Sequence, residues 1–141
     1  LNCDIGILAA AVADFTPVTT SETKIKRAKG EMTIKLRPTE DIAAHLGTIK
    51  REGQILAGFA LETDNEINNA LANLRKKNLD LIILNSLRDE GAGFGHDTKR
   101  IPIIDSDNNI DKFELKSKGE VASDILKKIT SLRLLSSLPQ F

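Results

Sequence analysis

The sequence predicts an α/β fold: a Rossmann-like, mostly parallel sheet with flanking helices and an antiparallel edge hairpin. Two patterns underlie this expectation. The runs 5–13, 54–60 and 79–84 are apolar at nearly every position, as in strands covered on both faces of a parallel sheet. Helical spacing recurs between and after them, and strand–helix alternation is the order of α/β domains.

The first strand is expected over 5–13, Ile5-Gly6-Ile7-Leu8-Ala9-Ala10-Ala11-Val12-Ala13, ending at Asp14. Residues 15–30 read as a polar loop rich in Thr, Ser and Lys. Met32-Thr33-Ile34-Lys35-Leu36 alternates apolar and polar, the period of a half-exposed strand, and Pro38 stops it. Thr39 is placed to cap a short helix over 40–46, with Gly47 as its C-terminal stop. A second buried strand spans 54–60. Thr63-x-x-Glu66 reads as a capping box, and the helix behind it puts Ile67, Ala70, Leu71 and Leu74 on one face. It ends in Arg75-Lys76-Lys77, favourable at the negative end of the helix dipole.

The third buried strand spans 79–84 and ends at Asn85. A loop follows, Asp89-Glu90-Gly91-Ala92-Gly93-Phe94-Gly95-His96-Asp97, whose glycines permit positive φ and close backbone approach. Residues 101–104 and 110–115 flank Asp105-Ser106-Asp107-Asn108-Asn109 and read as the hairpin, with Pro102 marking an edge. Ser117-x-x-Glu120 is a second capping box. It opens a helix that turns Val121, Ala122, Ile125, Leu126 and Ile129 toward the sheet. Residues 133–141 read as a loose tail. The ends of the three apolar strands, at Asp14, after Phe59 and at Asn85, are expected to open onto one rim.

The 141 residues are 40% hydrophobic, enough for one core, and 20 basic residues balance 20 acidic ones. That balance carries no electrostatic footprint for nucleic acid or an anionic membrane. The single Cys3 excludes an intrachain disulfide and a multi-cysteine metal site, and fits a reducing, cytoplasmic setting. No apolar run reaches membrane-spanning length and no signal-peptide pattern is present. Leu1-Asn2-Cys3 leads straight into a strand, without an initiator Met or the strand–Gly turn–helix unit that opens a doubly wound domain. The chain therefore reads as the C-terminal portion, 1–141, of one larger α/β domain.

In such sheets ligands bind beyond the carboxyl ends of the strands. Asp14 stands there, ten residues ahead of Lys24-Ile25-Lys26-Arg27. A carboxylate facing a cationic loop suits a nucleoside triphosphate and its metal ion. Asp14 reads equally as a turn cap, and the lysine cluster as a solvated loop. Phe59 reads as core or as a base-stacking ring, and Lys77 as a helix end or a ligand contact. His45 and His96 are too far apart for a metal-site spacing. Cys3 has no nearby His to activate it. The glycine loop lacks the Gly-Lys-Ser/Thr ending of a P-loop.

Ala10-Ala11-Val12-Ala13-Asp14-Phe15, Lys24-Ile25-Lys26-Arg27, Glu40-Asp41-Ile42, Gly58-Phe59-Ala60-Leu61-Glu62-Thr63, Lys77-Asn78-Leu79-Asp80 with Asn85, and Gly93-Phe94-Gly95-His96-Asp97 stand in an order and spacing that resembles phosphopantothenate–cysteine ligase. That enzyme is the phosphopantothenoylcysteine synthetase part of the bacterial bifunctional coenzyme A biosynthesis flavoprotein. The likeness runs from about residue 4 to 130. It implies a cytosolic enzyme that activates 4′-phosphopantothenate with CTP and passes the acyl group of the acyl-cytidylate to cysteine. It also implies a nucleotide and divalent-cation role, Mg²⁺ or a similar ion, for Asp14. Lys24 becomes a catalytic and nucleotide-contacting lysine on a flap. Ala10, Glu40, Asp41, Ile42, Ala43, Phe59 and Lys77 become further nucleotide contacts.

The family is generally a homodimer with the flap near the subunit interface. One basic family position falls on Asn73. The family's glycine-rich turn and a catalytic Asn lie upstream of residue 1, so the isolated chain is expected to show little ligation. No flavin is expected on this chain. The alternative function is a non-catalytic nucleotide-binding or dimerisation module of the same fold. An oxidoreductase half-domain would need a dinucleotide glycine fingerprint, which the sequence lacks.

Overall fold

The structure, a computed structural model, describes residues 2–27, 30–62, 64–86, 98–99, 101–111 and 116–136. The glycine loop 89–97 with its His96, Thr63 of the first capping box, 112–115 of the hairpin and 137–141 of the tail lie outside them.

Five strands form the main sheet in the order β1 (Ile5–Leu8), β4 (Ile55–Glu62), β5 (Leu81–Ser86), β7 (Ile103–Asp105), β8 (Ile110–Asp111). β1, β4 and β5 are parallel, with Ile5 opposite Ile55 and Ala57 opposite Leu81. β7 and β8 add antiparallel to the far side of β5. This is the mostly parallel sheet with an antiparallel hairpin that the sequence predicts. Two small ribbons stand apart, β2 (Phe15–Pro17) with β3 (Leu36–Pro38), and β6 (Thr98–Lys99) with β9 (Lys116–Ser117).

Successive strand residues face opposite sides, so the near-continuous apolar runs feed two cores. Ile55, Ala57, Leu81, Ile83 and Ile103 meet Val121, Ile125 and Ile129 of α3 (Lys118–Ser136). Leu56, Ile82, Leu84 and Ile104 meet Ala70 and Leu74 of α2 (Glu66–Lys76), with Leu46 of α1 (Ile42–Thr48) alongside. The result is three layers, helix on sheet on helix.

Several boundaries differ from the sequence expectation. β1 stops at Leu8, where its pairing with Gly58 ends; 9–13 are exposed and unpaired in any sheet. Among the described residues β1 is an edge strand, half-exposed instead of buried on both faces. The alternating stretch 32–36 is a strand only from Leu36, and Pro38 lies within β3. The polar loop begins with a strand, β2, because Phe15–Pro17 finds Leu36–Pro38 across the intervening segment. Pro102 does not mark an edge: it precedes the internal strand β7, and its carbonyl accepts from Leu84 N at 2.9 Å. A proline just before a strand removes no ladder donor.

The helix ends also shift. Asp41, not Thr39, caps α1, accepting from Ala44 N at 3.0 Å. Gly47 lies inside that helix, where a Cβ would overlap the Lys77 carbonyl. The α2 cap is Asn65, in the left-handed region at φ 46°, and Glu66 is already the first helical residue. The second capping box forms as expected: Glu120 Oε2 accepts from Ser117 N at 2.9 Å, and Ser117 Oγ accepts from Glu120 N at 3.4 Å. Ala122 and Leu126 face outward, since the buried stripe of α3 runs 121, 125, 129 at four-residue spacing. The start of the expected loose tail is helix through Ser136, and Arg133 pairs with Asp4 at 2.6 Å.

Candidate functional site

Past the carboxyl ends of β1 and β4 the chain opens a cleft of about 750 Å³. One wall is the unpaired run Ala9–Asp14, whose small side chains leave the space open. The end of β4, from Gly58 to Glu62, forms the floor. Thr39–Ala43 leads into α1 on one side, and Asn73 and Lys77 reach in from α2.

The cleft thereby gathers Ala10, Asp14, Glu40, Asp41, Ile42, Ala43, Phe59 and Lys77 from four separate stretches of sequence. Lys24 is not on its wall; it is exposed on the segment that joins β2 to β3. Asn85 does not line the cleft either, since β5 extends through it to pair Asn85 with Leu61. Phe59 is 44% exposed, so its ring is not spent on the core.

Two contacts fix the rim. Thr39 Oγ1 donates to the Ala13 carbonyl at 2.6 Å, and Thr39 N donates to the Asp14 carbonyl at 2.9 Å. They tie the entry of the β2–β3 ribbon to its exit and set where Asp14 stands. Across the cleft, Lys77 Nζ lies 3.2 Å from Asp41 Oδ2. The Ala44 amide holds the Asp41 carboxyl below its ordinary value, and Lys77 adds to this against the opposing cost of burial. Glu40 lies 3.6 Å from the exposed imidazole of His45.

Thr39, Glu62 and Asn73 also line the cleft, and the residue types alone gave none of them a role as a contact. Thr39 looked like a helix cap. For Glu62 the available signal was its place one strand repeat after Ala60 at the end of β4. For Asn73 it was the four-residue spacing from Asn69 on α2.

Charge on the wall is unbalanced. Among the described residues, Asp14, Glu40, Asp41 and Glu62 face one cation, Lys77. A triphosphate would need added positive charge, from a divalent ion and from the Lys24-Ile25-Lys26-Arg27 segment. Among the described residues no three His, Cys, Asp or Glu side chains group to hold a metal ion. Mg²⁺ commonly takes one or two carboxylates and completes its shell with water and substrate phosphate, and the Asp14 carboxylate on this wall is a ligand of that type. Among the described residues no helix is long and apolar enough to cross a membrane.

Residues 1–132 match the DNA/pantothenate metabolism flavoprotein C-terminal domain. A cysteine/cysteine sulfinic acid decarboxylase from an unknown prokaryotic organism is 71% identical over 131 residues, 93% of this chain and 36% of that protein. The coenzyme A biosynthesis bifunctional protein CoaBC of Bacillus subtilis is 45% identical over 129 residues, 92% of this chain and 32% of that protein. The crystal structure of the C-terminal domain of a coenzyme A biosynthesis bifunctional protein CoaBC superposes with a TM-score of 0.71 at 35% identity, covering 93% of this chain and 57% of that one. The chain thus spans about a third of the length of the curated relatives it matches. The resemblance read from the sequence motifs and the similarity found over nearly the whole chain agree: this chain belongs to the family of the DNA/pantothenate metabolism flavoprotein C-terminal domain.

Proposed function

We propose that this chain carries the nucleotide cleft of a CTP-dependent phosphopantothenate–cysteine ligase. What supports the reading is the cleft itself. Eight side chains that the family resemblance links to the nucleotide stand around one cavity, although the sequence scatters them over nearly seventy positions. The decarboxylase name of one relative is not carried over, because the residues gathered at the cleft are those that the resemblance links to a nucleotide.

In the proposed reaction a carboxylate oxygen of 4′-phosphopantothenate attacks the α-phosphorus of CTP. The bond between the α-phosphorus and the bridging oxygen breaks, and pyrophosphate leaves with the electron pair. The cysteine amine then attacks the acyl carbon of the acyl-cytidylate, loses a proton and displaces CMP, forming the amide. CTP carries about four negative charges near neutral pH, and attack concentrates charge at the α-phosphate. Asp14 would hold a divalent ion against the phosphates. When bound, that ion neutralises phosphate charge and polarises the P–O bonds.

Lys77 is poised between Asp41 and the cleft, so it can exchange one anionic partner for another. Phe59 bounds the cavity with an exposed ring face suited to a base. Lys24, carried on the β2–β3 segment, meets the α-phosphate as the flap closes and excludes water from the acyl-cytidylate. The same proposal makes the protein a cytoplasmic homodimer through the exposed apolar residues of that segment.

Calorimetric titration of the protein with CTP and Mg²⁺ tests the cleft assignment. Asp14→Asn is expected to weaken Mg²⁺-dependent CTP binding about tenfold or more, with little change in Mg²⁺-free binding. Equal affinity in the variant would make Asp14 a turn residue.

A further inference from the structure

Glu62 is the last residue of β4 and lines the cleft. Its carboxylate accepts from Asn69 Nδ2 at 3.1 Å and from Asn73 Nδ2 at 3.4 Å. These asparagines stand one turn apart on α2, beside the face that buries Ala70 and Leu74. Asn69 is held further by the Asp64 carbonyl at 2.9 Å. Asn73 is half-buried and reaches the cleft.

A carboxamide can ordinarily turn over, exchanging nitrogen for oxygen at little cost. Against an ionised carboxylate it cannot, because a carboxylate only accepts. Glu62 therefore fixes the nitrogen of Asn73 toward itself. Oδ1 is left as the acceptor on the other side of the amide. Glu62 beside it is a second acceptor, so this pair suits a hydrogen-bond donor.

We propose that Glu62 is a positioning residue that locks the Asn73 carboxamide, so that Asn73 Oδ1 selects a nucleoside by a hydrogen-bond donor. This rests on the nucleotide reading of the cleft. Two donors have the right chemistry, the exocyclic amine of a base and a ribose hydroxyl. A site that holds an acceptor for a donor discriminates strongly against the analogue lacking it, because its own group is left unpaired.

The experiment compares dissociation constants for CTP, UTP and dCTP, each with Mg²⁺, in the parent, in Glu62→Gln and in the double variant Glu62→Gln with Asn73→Asp. UTP replaces the base amine by an acceptor, and dCTP removes the 2′-hydroxyl. In Glu62→Gln the new amide can donate or accept, so Asn73 is free to turn over. The preference for CTP over one of the two analogues is expected to fall about tenfold, and the analogue affected identifies which donor is read.

In the double variant the introduced amide donates to the introduced carboxylate, whose second oxygen again faces the cleft. The net charge of the pair is unchanged, and the lost preference returns to within about threefold of the parent. A merely structural Glu62 would lower the melting temperature and weaken all three nucleotides alike. Parent-like preference in Glu62→Gln, or no recovery in the double variant, overturns the proposal. A parent protein that binds none of the three nucleotides overturns the nucleotide reading instead, and this inference with it.

Discussion

Asp105 is 2% exposed, yet it is fully partnered. Asp105 Oδ1 accepts from Asp107 N at 3.1 Å and from Asn109 N at 2.9 Å, closing the hairpin turn. Oδ2 accepts from Asn109 Nδ2 and lies 3.0 Å from Lys128 Nζ, which also meets Asp111 at 2.7 Å. One carboxylate thus joins the hairpin to α3. Burial pushes the Asp105 carboxyl up, but hydrogen bonds from Asn109 and Lys128 outweigh it and hold it below the ordinary 3.8. Hydrogen bonding to Asp111 raises Lys128, against the cost of burial.

A lowered carboxyl pKa gives stability that is present above the unfolded value and lost as pH falls through the folded one. The raised lysine keeps its contribution until the pH climbs past 10.5. Asp105→Asn is expected to cost about 2–3 kcal/mol at pH 7, and that difference should shrink at pH 3. Urea unfolding of parent and variant at both pH values reads it. A pH-independent difference would mean that the carboxylate charge does not matter. The sequence showed an Asp-Ser-Asp-Asn-Asn turn here, but not that its first residue would be buried, because Lys128 comes from a helix more than twenty residues on.

At the scale of elements, what the sequence made legible was whatever repeats locally. Ile67, Ala70, Leu71 and Leu74 pack where the helical spacing puts them, and Ser117 and Glu120 form their box. Contacts between distant residues set the rest. Ala9–Ala13 is apolar enough for a strand, but it lines a cleft. Gly47 looked like a helix stop, but the close approach of the Lys77 carbonyl explains it. The β2–β3 ribbon is not legible in the sequence because its strands are three residues each with eighteen residues between them.

A lone two-stranded ribbon is marginal in water, and this one extends into an exposed apolar set: Phe15, Val18, Ile25, Met32, Ile34 and Leu36. We propose that this set forms a seam between two copies, since large exposed apolar patches serve as interaction sites. A dimer at micromolar concentration is expected by sedimentation, and Met32→Ser with Ile34→Ser should shift it toward monomer without changing the helix content. A strictly monomeric parent would remove the ribbon from any two-fold interface.

Across the whole molecule, equal numbers of acidic and basic residues hide a local imbalance. Among the described residues the cleft wall has four carboxylates and one lysine, while Lys24, Lys26 and Arg27 stand on the ribbon segment outside it. Linear sequence placed Asp14 and the lysines ten residues apart and suggested that they face each other. In three dimensions the chain leaves the rim at Asp14, runs out along the ribbon and returns at Thr39. In our proposal, closure of that segment brings these cations to a nucleotide. Lys24 should then act mainly on charge that develops during reaction, and less on the bound ground state.

Pyrophosphate release from CTP and 4′-phosphopantothenate, followed with Mg²⁺ before cysteine is added, separates these contributions in the protein that carries this chain. The expected result is release by the parent that Lys24→Ala slows on the order of 100-fold, with CTP affinity changed far less. No release by the parent would leave a binding module without the ligase chemistry, and a Lys24→Ala rate equal to the parent's would make Lys24 an ordinary surface residue.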